Sequence, residues 1–249
     1  MIERQIDIAT AAGGMSTFIC HPERHGPHPV VIFYMDAPGI REELRDMARR
    51  LATVGYYVML PNLYYREKVE ELGAFTGDAA AETRKRMFAL MGTLSIDVVM
   101  DDTAALLAFA DAESAASKSA IGTVGYCMSG QYAISAAVRY AERVAAAASI
   151  YGTNLVTDKP DSPHLAVAKA RAELYVAFAE TDHYVPLAMV ARFREALRRS
   201  GATAEVEVYG GVEHGFAFPQ RPAFNKAAAE RHWERLFALF ARRLPSPHA

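Results

Sequence analysis

The sequence predicts an α/β fold, a mainly parallel central sheet flanked by helices on both faces. Three observations carry that prediction. Short β-rich apolar runs alternate with segments of helical period along most of the chain, the pattern of βαβ units. The runs at 29–35 and 120–124 are continuously apolar, as strands buried on both faces are. Apolar residues make up 51% of the chain and charged residues 22%, enough for a sizeable core and unlike a disordered composition.

Taken in order, segments 2–8 and 15–20 read as two strands joined by a hairpin turn at Gly13-Gly14. The strand at 29–35 leads into the turn Asp36-Ala37-Pro38-Gly39. A helix follows over about 41–54, with Leu44, Met47, Ala48 and Leu51 at helical spacing and Gly55 as its stop. The next strand, 56–60, is halted by Pro61-Asn62. Residues 61–80 show no period and read as a loop or a short lid over a site. Helical composition covers 80–116, interrupted at Gly92-Thr93. A strand, a turn and an Ala-rich helix occupy 120–140. Strands at 146–151, 172–179 and 204–209 follow. A helix over 186–199, stopped by Ser200-Gly201, separates the last two of these strands. A final helix over about 223–242 carries Trp233, Leu236 and Phe240 on one face. No repeat or linker divides the chain, so a single domain, 1–249, is expected.

The formal net charge of -2 gives no electrostatic reason to expect nucleic acid or an anionic membrane as partner. No run approaches the ~18 apolar residues of a membrane-spanning helix, and the start Met1-Ile2-Glu3-Arg4-Gln5 lacks the features of a signal peptide. Cys20 and Cys127 make no disulfide framework, so a reducing cytoplasm is the expected setting. Without a metal-ligand cluster, a phosphate loop or a dinucleotide fingerprint, no cofactor is expected.

Chemistry centres on Gly125-Tyr126-Cys127-Met128-Ser129-Gly130, directly after the buried strand. A small-residue turn that holds one nucleophile between strand and helix is a nucleophile elbow. There Cys127 sits at a strand's carboxyl end and a helix's N-terminus, where the dipole and free N–H groups favour a thiolate. Cys20 has no such context and reads as a strand residue. Asp182 and then His214 each end a later strand, and the order nucleophile, acid, histidine is that of the α/β-hydrolases. In this reading His214 exchanges protons with Cys127 and the leaving group while Asp182 fixes the imidazole tautomer. Glu180 is the rival acid and His183 the rival base. The backbone N–H groups of Met128 and Ala37 are the expected oxyanion donors, from the topology alone.

These segments, with His214-Gly215-Phe216, Asp182-His183-Tyr184-Val185-Pro186 and Pro61-Asn62-Leu63-Tyr64, resemble the dienelactone hydrolase (carboxymethylenebutenolidase) family. The resemblance in element order spans nearly the whole chain. It implies an α/β-hydrolase fold and hydrolysis of a small-molecule lactone or carboxylic ester through a Cys-Asp-His triad with an acyl-cysteine intermediate, in a monomer or homodimer. Two departures stand out. The family's thiol-activating glutamate after the third strand is Asp36 here, which tunes the thiol or merely caps its turn. The serine and arginine that follow the family's histidine are Gly215 and Phe218 here, which favours a substrate less anionic at its distal end. Arg84 and Arg86 are the candidates for a second substrate-binding arginine. Other readings are a different acyl or carbon–halogen hydrolysis on the same fold, or a catalytically silent redox- or ligand-sensing protein.

Overall fold

The computed structural model describes residues 1–73 and 75–244. Residue 74, within the expected loop, and 245–249, within the expected domain, lie outside the described residues. An eight-stranded sheet runs through the molecule in the order β1-β2-β4-β3-β5-β6-β7-β8. The strands are β1 (Ile2–Thr10), β2 (Gly13–His21), β3 (Val30–Tyr34), β4 (Tyr57–Pro61), β5 (Ile121–Tyr126), β6 (Val144–Ile150), β7 (Glu173–Thr181) and β8 (Ala204–Glu213). From β4 through β3 to β8 every pairing is parallel; β1 and β2 form an antiparallel hairpin that joins the β4 edge.

The hairpin corrects the sequence reading. Thr10 pairs with Gly13, so Ala11-Ala12 make the turn and Gly13-Gly14 begin β2. The Thr10 side chain closes that turn: its hydroxyl accepts from the Ala12 N–H at 3.1 Å and donates to the Gly13 carbonyl at 2.8 Å. Glycine is still needed at 13, where φ is +125°.

Among the described residues, seven α-helices accompany the sheet: α1 (Glu42–Thr53), α2 (Ala80–Met91), α3 (Ile96–Ala112), α4 (Gly130–Arg139), the single-turn α5 (Pro163–Ala166), α6 (Leu187–Ser200) and α7 (Lys226–Arg243). Adjacent residues of β5 show that both faces are covered. A Cβ on Gly122 would lie 2.8 Å from side-chain atoms of Phe240 and Leu244, at the α7 face. The next residue, Thr123, points the other way and donates to the Ala133 carbonyl of α4 at 3.0 Å. Helix α1 shares the α7 face, tied there by the Arg50–Glu230 ion pair. The middle segment breaks near Gly92, as its sequence predicts. Ser95 then caps α3 by accepting the Val98 N–H.

No described helix is long and apolar enough to cross a membrane. Strands β3, β5 and the latter part of β6 are buried throughout. Their carboxyl ends converge on one edge of the sheet, and the loops after β3, β5, β6, β7 and β8 assemble the site there.

Candidate active site

Cys127 follows β5 directly, and the turn that carries it leaves no room for larger residues. A Cβ on Gly125 would lie 2.1 Å from the Ser129 carbonyl oxygen, and one on Gly130 would lie 2.4 Å from Gly152 Cα. Cys127 itself has φ +54°, a left-handed conformation that costs a non-glycine residue of order 1 kcal/mol and is held by its surroundings. Ser129 Oγ donates to the Met35 carbonyl at the end of the β3 segment, and the Thr153 N–H donates to the Cys127 carbonyl at 3.0 Å. The elbow is thereby tied to the loops on both sides.

Asp182 stands just beyond β7. One carboxylate oxygen accepts the N–H groups of Tyr184 and Val185, at 2.8 and 3.1 Å; the other accepts from His214 Nδ1 at 2.7 Å. With every partner a donor, Asp182 is held as a carboxylate and the proton on Nδ1 is assigned by the network. His214 follows β8, which extends to Glu213, farther than its sequence suggests. Its ring is flanked by Tyr151 at 4.8 Å and Tyr184 at 5.0 Å between centroids. Nε2 is buried and closes no hydrogen bond of its own, although Cys127 lies near enough to act on the ring's proton affinity. Burial pulls the imidazole pKa down. The Asp182 hydrogen bond, followed by the nearby Cys127 and the charge of Asp182, outweighs it and pushes the value up to about 10.

The rivals sit elsewhere. Glu180 is exposed and accepts the Gly211 N–H at 2.7 Å; His183 is exposed and lines no cavity with Cys127.

Cys127 and His214 open onto a cavity of about 110 Å³, shared with Asp36, Ala37 and Phe218. Ala37 lines the same wall as Cys127. Met128 is buried, and its side chain turns toward Tyr64, whose hydroxyl lies 2.9 Å from the Ala37 carbonyl oxygen and 3.3 Å from Met128 Sδ. The two residues expected to supply oxyanion donors are therefore braced by one phenol. Cys20 lies buried in β2, away from the cavity.

Asp36 is buried in the same wall, and its carboxylate is clamped by arginines. Arg41 binds both oxygens, at 2.6 and 3.2 Å, and Arg221 reaches one at 3.3 Å. Arg41 also binds Glu43 at 2.7 Å. Burial works against the Arg41 charge, but Asp36 and Glu43 more than offset it and raise its pKa. The network holds two cations and two anions in one nearly closed cluster. Phe218 is its floor: the Arg41 and Arg221 guanidinium carbons lie 5.0 and 6.0 Å from the ring centroid.

Arg84 and Arg86 do not reach the cavity. Both are exposed on α2, which lines the cavity with Met87, Phe88 and Met91 instead, Phe88 remaining half-exposed. The cavity's cover is thus α2 rather than the loop at 61–80. That loop instead braces the Asp36 turn from behind, through Ile40 N–H to Glu70 O at 2.7 Å and Leu72 N–H to Pro38 O at 3.1 Å. The cation that does line the cavity is Arg221, which the sequence reading passed over. Its one signal was a lone basic residue three positions past Phe218, in the loop that follows the histidine. Tyr151 and Thr153 were missed as well, since nothing in Tyr151-Gly152-Thr153 marks a site before β6 is laid beside β5. The expectation of a substrate less anionic at its distal end, drawn from Gly215 and Phe218, took no account of Arg221.

Fold and elbow together define an α/β-hydrolase-type protein with Cys127 in the turn between β5 and α4. Residues 15–244 match the Dienelactone hydrolase family, and the chain belongs to that family. It is 27% identical over 242 residues to a protein of Methylorubrum extorquens provisionally named a carboxymethylenebutenolidase, covering 95% of this chain and 79% of that protein. A protein of the same provisional name from Escherichia coli K12 is 28% identical over 240 residues, covering 94% of this chain and 84% of the other. Among solved structures, a provisionally assigned dienelactone hydrolase from Klebsiella pneumoniae superposes with a TM-score of 0.85. At 24% identity it covers 97% of this chain and 98% of its own, a likeness of fold.

Proposed function

We propose that this chain hydrolyses small carboxylic esters or lactones through a Cys127–His214–Asp182 triad and an acyl-cysteine intermediate. One observation carries the reading: a cysteine held at φ +54° shares a cavity with an imidazole whose far nitrogen is hydrogen-bonded to a buried carboxylate at 2.7 Å. Family membership supports hydrolysis of this type.

In the reaction, His214, whose raised pKa favours the imidazolium, already holds the thiol proton on Nε2, and the thiolate Sγ attacks the substrate carbonyl carbon. The carbonyl electron pair moves to oxygen, and that oxyanion accepts from the N–H groups of Ala37 and Met128. As the pair returns, the C–O bond to the alcohol portion breaks and His214 gives its proton to the departing oxygen. Water then attacks the thioester, passing a proton to His214, and the C–S bond breaks to release the acid and restore the thiolate beside the imidazolium. Asp182 keeps the ring proton on Nδ1 throughout, so that Nε2 is always the exchanging atom. The substrate's apolar portion packs on Met87, Phe88 and Met91, and an anionic substituent, where there is one, is received by Arg221.

The test is Cys127→Ala together with intact-protein mass spectrometry. The variant should fold and lose hydrolysis, and the wild-type protein mixed with a slowly deacylated ester should gain the acyl mass on Cys127. Full activity in the variant sinks the assignment.

A further inference from the structure

Tyr151 stands immediately after β6 and reaches the site by a route that nothing in its own sequence announces. Its backbone has φ +39°, strained for a tyrosine, and its N–H donates to the Ala177 carbonyl of β7 at 2.7 Å. The next residue explains why the chain accepts that conformation. A Cβ on Gly152 would lie 2.1 Å from Ser149 Oγ and 3.0 Å from Gly130 Cα. The turn after β6 is thus pressed against the start of α4 and fastened to the elbow through Thr153 N–H and the Cys127 carbonyl.

The Tyr151 ring is enclosed by aromatic neighbours. His214 lies at 4.8 Å, Phe216 at 5.2 Å, Tyr126 at 5.9 Å and Phe218 at 6.1 Å between centroids. Such packing fixes where the hydroxyl points. Tyr151 is fully buried and lines the cavity of Cys127 and His214, yet its Oη has no hydrogen-bond partner among the described residues. Thr153 Oγ1, on the same turn and in the same wall, is also buried and unpartnered. A buried hydroxyl left unpaired costs stability, so two of them on residues that line one cavity need a reason.

We propose that Tyr151 is a catalytic residue whose hydroxyl donates a hydrogen bond to the reacting carboxyl group of the bound ester or lactone. This inference rests on the hydrolase reading above. Burial, then the charges of Tyr126, Asp36 and Cys127, hold the phenol pKa well above its ordinary value, so the proton to be donated stays on the oxygen. The donor is also preorganised: its ring is locked by four neighbours, so little freedom is lost on binding. Thr153 Oγ1 extends the same polar edge along the wall.

Tyr151→Phe removes the hydroxyl and leaves the packing. Phenyl acetate is the diagnostic substrate, because its ester is its only hydrogen-bonding group. With it, kcat/KM of the variant should fall about tenfold or more, within the range for losing a donor to developing charge. The melting temperature should stay the same or rise, since an orphaned polar group has gone. The rate at which iodoacetamide labels Cys127 should stay within twofold of wild type.

A second probe, 2,2,2-trifluoroacetophenone, adds Sγ to its ketone carbon and places the charge on the carbonyl oxygen, with no turnover required. Its dissociation constant, read by fluorine NMR, should rise about tenfold in the variant. If wild type binds the ketone but hydrolyses no ester, the hydrolase reading fails while the Tyr151 proposal is still decided by the ketone. Equal ketone affinity in the two proteins, or a loss of turnover accompanied by a lower melting temperature and altered labelling, overturns the proposal. A wild-type protein that takes up neither probe overturns both.

Discussion

Replacing Asp182 with asparagine preserves the side chain's shape and reverses one hydrogen bond. One oxygen of Asp182 serves the N–H groups of Tyr184 and Val185, and the other serves His214 Nδ1. The asparagine carbonyl must face the two backbone donors, because an NH₂ group has nothing there to donate to. The NH₂ then donates to Nδ1, and the ring proton moves to Nε2. A neutral ring whose one proton sits on Nε2 accepts none from Cys127, so the thiolate–imidazolium pair favoured by the raised pKa of the wild-type ring is lost. In a serine protease triad the same tautomer error costs about ten-thousandfold in turnover, or about 5 kcal/mol of barrier. A second effect runs through the pKa. Burial lowers it, and the Asp182 hydrogen bond is the largest of the opposing effects that bring it to about 10. Losing the carboxylate lets burial prevail, so the alkaline limit set by imidazolium moves from about pH 10 toward neutrality. The assay is kcat/KM on phenyl acetate from pH 5 to 11, with iodoacetamide labelling of Cys127 over the same range. A variant within tenfold of wild type whose alkaline limb stays near pH 10 would refute this reasoning.

Three further outcomes follow from the same contacts. His214 has its pKa raised from 6.5 to about 10 in the folded protein, so its contribution to stability is present in full below pH 6.5 and lost as pH rises through about 10. The melting-temperature gap between wild type and His214→Gln should therefore be widest in mild acid and close toward pH 10; a gap that widens with pH has the wrong sign. Arg221→Met should lower kcat/KM on an ester bearing a carboxylate at least about tenfold more than on a neutral ester of similar size, because a bound carboxylate loses its charge-assisted donor. Equal losses on the two would remove Arg221 from substrate recognition. Asp36→Ala leaves Arg41 and Arg221 short of a buried counter-charge and should cost roughly 3 kcal/mol in urea denaturation. The field at Cys127 becomes more positive, so alkylation should accelerate, and an unchanged rate would reduce Asp36 to an anchor for the two arginines.

What the sequence determined by itself is what short segments settle among themselves. The alternation of apolar runs and helical periods is set by whether a residue faces a sheet or a helix stripe, so the parallel sheet could be read from it. The turn from Gly125 to Gly130 was legible for the same reason, since a strand, a strained residue and a helix start are all local. Asp182 and His214 stood out because each closes a strand in the right order. Tertiary structure decided the rest, because it depends on which segments meet. The hairpin turned at Ala11-Ala12 rather than at two glycines because pairing across the whole of β1 and β2 set the register. Arg84 and Arg86 were plausible as a basic pair, but the rotation of α2 presents Met87, Phe88 and Met91 to the cavity instead. Nothing near Asp36 in sequence shows that Arg221, 185 residues away, reaches its carboxylate. Nor does Tyr151 look unlike any core tyrosine until β6 is laid beside β5. Charge pairing and unpaired hydroxyls are properties of distance in space, and only packing the loops at one edge of the sheet creates those distances.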